Sequence, residues 1–296
     1  MKRFFIRHLD IYFVILASIL LASMGILVKF LGSLLPSVEI VFFRNFIGAI
    51  LILFFILKNP PTQKGGNISL LIFRGVVGVI SMIAFFYNIA NMGMAEAFTF
   101  TKTAPIFVVV ICAIFLKEKI SFFGWISVFI GFVGILLIVQ PNLGFTKTDF
   151  TGLISGFFAA LAYISMYELK KYYNPKFIVL VFLIIGFIVP LICMILPYFI
   201  NFPQNLDFIF AKFTMPNSKS LFIIFLMGAI GVIYQICITK AYALSKSASK
   251  IAVISNTDVV FSFVFGLAIG DKIPEFIAFL GILMIICSSI IIAKFR

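Results

Sequence analysis

The sequence predicts an all-α polytopic membrane protein with ten transmembrane helices, arranged as two inverted five-helix repeats. Three observations lead there. The chain is 63% hydrophobic and only 11% charged, with a mean hydropathy of +1.24, well outside the soluble globular range. Its apolar residues fall in windows of about 20, the length that crosses a bilayer's hydrocarbon core. One stretch is also written twice. AEAFTFTKTAPIFVVVICAIFLKEKISFF, from Ala95, and ASKIAVISNTDVVFSFVFGLAIGDKIPEF, from Ala248, align without a gap at an offset of 153 residues. That offset is about half the chain, so one unit has been duplicated. A duplicated unit with an odd number of spans re-enters the membrane upside down, an arrangement that marks transporters.

The spans are expected at 11–31, 38–57, 70–90, 97–116, 121–139, 151–170, 177–200, 220–240, 249–269 and 274–293. Span 1 follows a basic tail, Met1-Lys2-Arg3 with Arg7. Its apolar stretch exceeds the 7–15 residues of a signal-peptide core, so it reads as a retained first helix. Turn signals separate the others: Leu35-Pro36-Ser37, Asn59-Pro60-Pro61, Gln140-Pro141-Asn142, Asn174-Pro175 and Met215-Pro216-Asn217. Spans 4 and 9 end at matching turns, Lys117-Glu118-Lys119-Ile120 and Gly270-Asp271-Lys272-Ile273. The longest connection, 202–219, is too short for a separate domain. The repeats are therefore expected at 1–140 and 150–296.

Lys and Arg positions set the expected orientation. With the N-terminus inside, fourteen basic residues fall in inner segments and four (Lys147, Lys212, Lys219, Lys272) in outer ones. Such an excess on short loops places both termini in the cytoplasm and the protein, multi-pass, in the cytoplasmic (inner) membrane. It also makes the two repeats antiparallel. The formal charge of +13 is dispersed between apolar runs rather than clustered, so it reads as topology and not as nucleic-acid binding. The four cysteines stand singly in apolar runs, without metal-ligand spacing or a disulfide framework. No phosphate-binding loop occurs, and the one histidine, His8, lies in the tail. Without paired carboxylates or a His cluster there is no catalytic constellation. No cofactor, metal site or enzymatic activity is expected.

What could carry function is a handful of polar residues inside the spans, where they are costly and expected to face the bundle interior. Lys102 lies in span 4 among Thr99, Thr101 and Thr103, just before Pro105. Asp258 lies in span 9 after Ser255, Asn256 and Thr257. In the repeat frame Lys102 matches Ser255 and Pro105 matches Asp258, so the polar segments share one register, where a midplane site between repeats is expected. A buried structural ion pair between Lys102 and Asp258 is the plainer alternative. Asp258 is also the candidate carboxylate for a coupling proton. Arg44 in span 2 could contact substrate, pair with Glu39 or reach the interface. Span 3 carries the stripe Arg74, Gly78, Ser81, Phe85, Asn88, and span 8 carries Gly228, Gly231, Gln235, Thr239 beside Tyr234. Helix packing accounts for the small residues, whereas the amides of Asn88 and Gln235 need partners in a dry interior. Span 1 has Ser18, Ala22, Gly25 and Lys29. Spans 5 and 10 carry almost no polar side chains in their middles, and are expected outside the pathway, supporting the bundle or contacting a second protomer as a homodimer.

The chain resembles the drug/metabolite transporter superfamily, in its ten-span EamA-type branch. The residues that carry this are Phe42-Phe43-Arg44, Ala90 to Ala97, Pro105-Ile106-Phe107 and Phe115-Leu116-Lys117-Glu118-Lys119 in the first half. In the second they are Ala241-Tyr242-Ala243, Ser247-Ala248-Ser249 and Gly270-Asp271-Lys272. Lys29 to Gly32, Val41 to Arg44 and Arg74-Gly75 look somewhat like the bacterial S-adenosylmethionine uptake carriers of that branch. Asp258 departs from the pattern, standing where a neutral residue is usual. The resemblance implies secondary transport by alternating access, through a path lined by spans 1, 3, 4, 6, 8 and 9. The substrate expected is a small polar or zwitterionic metabolite such as an amino acid or S-adenosylmethionine, its opposite charges met by Lys102 and Asp258. A drug or cation efflux carrier of the same family, and a passive pore, are the alternatives.

Overall fold

The computed structural model describes residues 9–58, 60–61, 65–115, 121–139, 144–245, 251 and 254–295. Among these every regular element is helical. In chain order they are α1 (Leu9–Gly32), α2 (Ser37–Lys58), α3 (Ile68–Asn91), α4 (Met94–Thr101), α5 (Ala104–Phe115), α6 (Phe122–Val139), α7 (Lys147–Leu169), α8 (Pro175–Ile195), α9 (Ser218–Leu244), α10 (Thr257–Ala268) and α11 (Phe276–Phe295). Seven helical stretches are long and apolar enough to cross a membrane. Three shorter apolar ones, Phe122–Ile138, Thr257–Ala268 and Phe276–Ser288, fall where spans 5, 9 and 10 were expected.

Local chemistry explains where the helices start. Asn67 Oδ1 accepts from the Leu70 N–H, Asn174 Oδ1 from that of Lys176, and Asn217 Oδ1 from that of Ser220. Each satisfies an amide left unpaired by a first turn. Thr146 and Asp149 form a reciprocal capping box that starts α7 four residues before the expected edge of span 6. The turn Lys117–Ile120 and the Gln140-Pro141-Asn142 turn lie outside the described residues. Its partner at Asp271 is described, and Gly270 there adopts φ +93°, a conformation that L side chains rarely take.

The helices form a bundle with several buried zones, two of them extensive. The larger packs Val28, Ile40, Phe86, Met94, Phe98, Leu183 and Met227 together. A second, nearer the start of α1, joins Val14, Met166, Tyr242 and Ile251. The end of α1 meets the start of α4 and the turn after α10 at what we term the distal face. The opposite, proximal face holds the start of α1 and the ends of α7 and α9. The outside carries large apolar side chains such as Phe54, Leu57, Phe129, Phe132, Phe222 and Phe276, a surface suited to lipid rather than water. α6 and α11 pack on each other through glycines. A Cβ on Gly134 would sit 2.9 Å from the Gly281 carbonyl oxygen, and Ser288 Oγ donates to the Ser127 carbonyl at 2.6 Å. Small residues thus bring these two backbones together.

Spans 4 and 9 are not continuous helices. Span 4 breaks at Lys102-Thr103 between α4 and α5, and span 9 breaks at Ser255-Asn256 before α10. These positions are equivalent in the repeat. Around both breaks the backbone tightens to three-residue hydrogen bonds. Lys102 N–H bonds Thr99 O at 2.9 Å and Thr103 N–H bonds Phe100 O at 3.1 Å; Asp258 N–H bonds Ser255 O and Val259 N–H bonds Asn256 O, both at 3.1 Å. Pro105 explains the first break, because it supplies no N–H to continue the ladder. The second has no proline, and Ser255, Asn256 and Asp258 are residues that favour helix starts over helix middles.

Candidate functional site

The two breaks lie against a cavity of about 100 Å³ inside the bundle. α1 contributes Leu21 and Met24, α3 contributes Gly78, Ser81, Phe85 and Phe86, and α7 contributes Tyr163 and Met166. Tyr234 and Gln235 come from α9. Thr101 and Lys102 enter from the first break and Asp258 from the second. Arg44 of α2, Arg74 of α3 and Phe182 of α8 complete the charged part of the wall. The helices expected to line a path are all represented; spans 2 and 7 join them through Arg44 and Phe182. No residue of α6 or α11 reaches the lining.

Lys102 and Asp258 meet each other. Lys102 Nζ lies 2.7 Å from Asp258 Oδ2 and donates to Ser255 Oγ at 3.1 Å, with both charged side chains about 95% buried. Each charge suits its place. Lys102 sits at the C-terminal end of α4, where unpaired carbonyls favour a cation, and Asp258 lies in the first turn of α10, where unpaired amides favour an anion. The duplicated helices therefore end in opposite dipoles at one point, and the ion pair bridges them. Asp258 Oδ1 has no partner among the described residues, nor has either amide atom of the buried Asn256.

The arginines are arranged differently. Arg44 donates from Nη1 to Asn45 Oδ1 at 2.7 Å and from Nη2 to the Gly231 carbonyl at 3.1 Å. Asn45 is itself held by Val41 O and Gly186 O. Gly231 is needed for this approach, since a Cβ there would lie 2.6 Å from Arg44 Nε. Of the alternatives for Arg44, the ion pair with Glu39 does not form; Glu39 instead accepts the Thr214 N–H at 2.9 Å. Arg74 has less. Its guanidinium carbon lies 4.1 Å from the Phe182 ring centroid, that of Arg44 6.0 Å from the same ring, and among the described residues its one polar contact is Met166 Sδ at 3.9 Å. Such ring contacts return about 2 kcal/mol when desolvated, whereas burying an ion costs several.

The remaining candidates divide. Gln235 and Tyr234 line the cavity, and Ser255 supports Lys102. Asn88 and Thr99 are engaged elsewhere. Asn88 donates to the Thr148 carbonyl at 3.0 Å and accepts from Thr151, clamping α3 to α7 at the distal end. Thr99 Oγ1 donates to Ala95 O at 2.7 Å within its own helix. Residues missed in the sequence include Tyr163, stacked on Tyr242 with centroids 5.5 Å apart, and Phe182. Neither carries a sequence signal beyond being aromatic in an aromatic-rich chain. Arg74 was legible as the head of the span 3 stripe, and Gly78, Ser81 and Phe85 of that stripe do line the cavity.

The distal face is tied across elements. Lys29 of α1 pairs with Asp271 and donates to Met92 O at 3.0 Å; Asp271 also accepts the Met94 N–H at 2.8 Å. Lys147 of α7 pairs with Asp207. On the proximal face Lys170 Nζ donates to Ser245 O at 3.2 Å, and the Gly65 N–H donates to Tyr172 O at 3.1 Å. Among the described residues no cluster of three or more His, Cys, Asp or Glu could hold a metal.

Comparison with known proteins places this geometry. Residues 9–140 and 146–294 each match the EamA-like transporter family. An uncharacterized transporter of Helicobacter pylori is 34% identical over 286 residues, covering 95% of this chain and 93% of that one. The pseudopaline exporter CntI of Pseudomonas aeruginosa is 26% identical, covering 95% and 94%. An S-adenosylmethionine uptake transporter of Rickettsia bellii is 23% identical, covering 89% and 86%.

Proposed function

This chain belongs to the EamA-like transporter family, and from that premise we propose that it is a secondary carrier moving a small polar or zwitterionic metabolite across the cytoplasmic membrane by alternating access. One observation carries the reading: a cavity lined by Lys102, Asp258, Arg44 and Arg74 lies where two helices of the duplicated unit break at the same register. Broken helices put unpaired backbone groups and charged ends beside a path, which continuous helices do not. Each break is also a flexion point about which one half of the helix can tilt. On this reading the two repeats are 1–140 and 150–296, both termini are cytoplasmic, and the distal face is the outer one.

The Lys102–Asp258 pair sits between the breaks and is the element that a substrate's charges would rearrange. Asp258, the one carboxylate among the cavity residues, is the group through which a proton would couple. α6 and α11, off the cavity, offer their outer face to lipid or to a second protomer. A carrier for cationic drugs fits less well, because that carboxylate is already engaged by Lys102. Relatives are named for export and for uptake, and the reading takes neither direction from them. Counterflow in reconstituted vesicles tests it. Saturable uptake accelerated by solute on the opposite side is expected for a carrier. Flux without saturation or trans-stimulation would mean a pore, and chemical conversion of the solute an enzyme.

A further inference from the structure

The charge lining the cavity is not balanced. Lys102 is met by Asp258 and Ser255, which leaves no carboxylate among the lining residues for Arg44 and Arg74. Both arginines are almost fully buried, 1% and 4% exposed, and neither takes part in an ion pair among the described residues. Arg74 Nε and Nη1 and Arg44 Nε have no hydrogen-bond partner among the described residues. These atoms can only donate. Tyr234 and Gln235 lie beside them in the same wall, and Phe182 presents its ring to both guanidinium groups.

Buried charge without a partner is costly enough that it persists where a ligand completes it. A guanidinium fork matches the paired oxygens of a carboxylate or phosphate. We propose that Arg44 and Arg74 form the oxyanion subsite of the carried solute, which narrows the polar metabolite of the carrier reading from a zwitterion to a small organic anion bearing a carboxylate or phosphate group. Arg44, held by Asn45 and the Gly231 carbonyl, is the fixed half of the subsite. Arg74, held only by a ring and a thioether, is the half that adjusts to the ligand. The Lys102–Asp258 pair is neutral and contributes no net attraction for a cation. This inference rests on the carrier reading for the solute's passage, but the binding site itself can be tested separately.

Titration calorimetry on the purified protein, with succinate, inorganic phosphate, alanine and putrescine as probes, makes that test. Succinate or phosphate is expected to bind saturably, and which of the two binds more tightly identifies the oxyanion as carboxylate or phosphate. Alanine, a zwitterion without net charge, is expected to bind much more weakly than either anion, and putrescine not to bind. Arg74→Gln should weaken anion binding by roughly tenfold or more, as loss of a charged hydrogen bond does. Its melting temperature without ligand should be no lower than that of the unaltered protein, since an unpaired buried charge has been removed. A merely structural arginine would show the reverse. Arg74→Lys, which keeps the charge and loses the fork, should fall between the two and serves if the glutamine variant does not fold. The proposal is overturned if neither anion binds, if alanine or putrescine binds as tightly, or if both Arg74 variants keep the anion affinity within about twofold. Counterflow separates the two claims. Exchange of a neutral or cationic solute alone defeats the anion subsite and leaves the carrier standing. Anion binding without saturable flux of any solute defeats the carrier and leaves the subsite.

Discussion

The cavity wall holds two kinds of buried charge a few helices apart. Lys102 and Asp258 complete each other, and their half-helices supply the matching dipoles. Arg44 and Arg74 share a phenyl ring and have donors to spare. The difference separates what the fold satisfies from what it leaves for a partner. A completed pair contributes to which conformation is stable, because parting it exposes two uncompensated ions. An incomplete pair contributes to what is bound. Both sit in one cavity, so binding at the second can be linked to parting of the first.

The largest expected effect breaks the completed pair. Lys102→Ala leaves Asp258 buried alone and should destabilise the protein by about 3–5 kcal/mol. Lys102→Met with Asp258→Leu removes both charges and should recover most of that loss, while transport stays abolished. Thermal melts of the single and double variants, alongside vesicle uptake, check this. A double variant as unstable as the single would mean that the pair is not the unit described, and active transport by it would remove the pair from the mechanism.

A middle-sized effect sharpens the distinction between the two arginines. Gly231→Ala sets a methyl 2.6 Å from Arg44 Nε and should cost about 1–3 kcal/mol through overpacking. Because it disturbs the anchored arginine and not the loose one, it should reduce anion affinity while leaving the Arg74–Phe182 contact in place. Calorimetry with succinate or phosphate reads the affinity and a melt reads the stability; unchanged values for both would show that Arg44 does not depend on that glycine.

The smallest effect lies at the distal face. Asp271→Asn removes the charge that holds Lys29, a partly exposed pair worth about 1 kcal/mol or less. Little change in melting is expected, but the face should open more often. With the four native cysteines replaced, a cysteine at Ser81 in the cavity wall should react faster with an impermeant maleimide added on the distal side. An unaltered rate would mean that the Lys29–Asp271 contact does not restrain that face.

Hydropathy alone located the helices closely: α2 and α3 begin and end within two residues of the expected spans, because apolar length is a local property. The breaks were less legible. Pro105 signals one of them, whereas the one at Ser255-Asn256 has no proline and becomes visible only through the repeat, as the position matching the first. Lys102 and Asp258 stood out as charges in apolar runs, but their contact joins residues 156 apart in sequence and could be named only as an alternative. The meeting of Arg44 and Arg74 at Phe182 involves three helices and leaves no trace in any one of them. Asn88 and Thr99 mislead for an opposite reason. Their polar groups are absorbed by a neighbouring helix and by their own backbone, which composition does not reveal.

The glycine contact between α6 and α11 also bears on how the protein is made. Gly134 and Gly281, whose backbones touch, emerge from the ribosome roughly 150 residues apart, an interval of about 7–30 s at ordinary elongation rates. During that time α6 has to wait in the bilayer with its glycine face covered only by lipid or by an assembly factor. Biogenesis of the first repeat is therefore unfinished until the last described helix arrives. Substitutions along this seam should first show as reduced yield, through quality control of a nascent intermediate, in molecules whose cavity is unaltered.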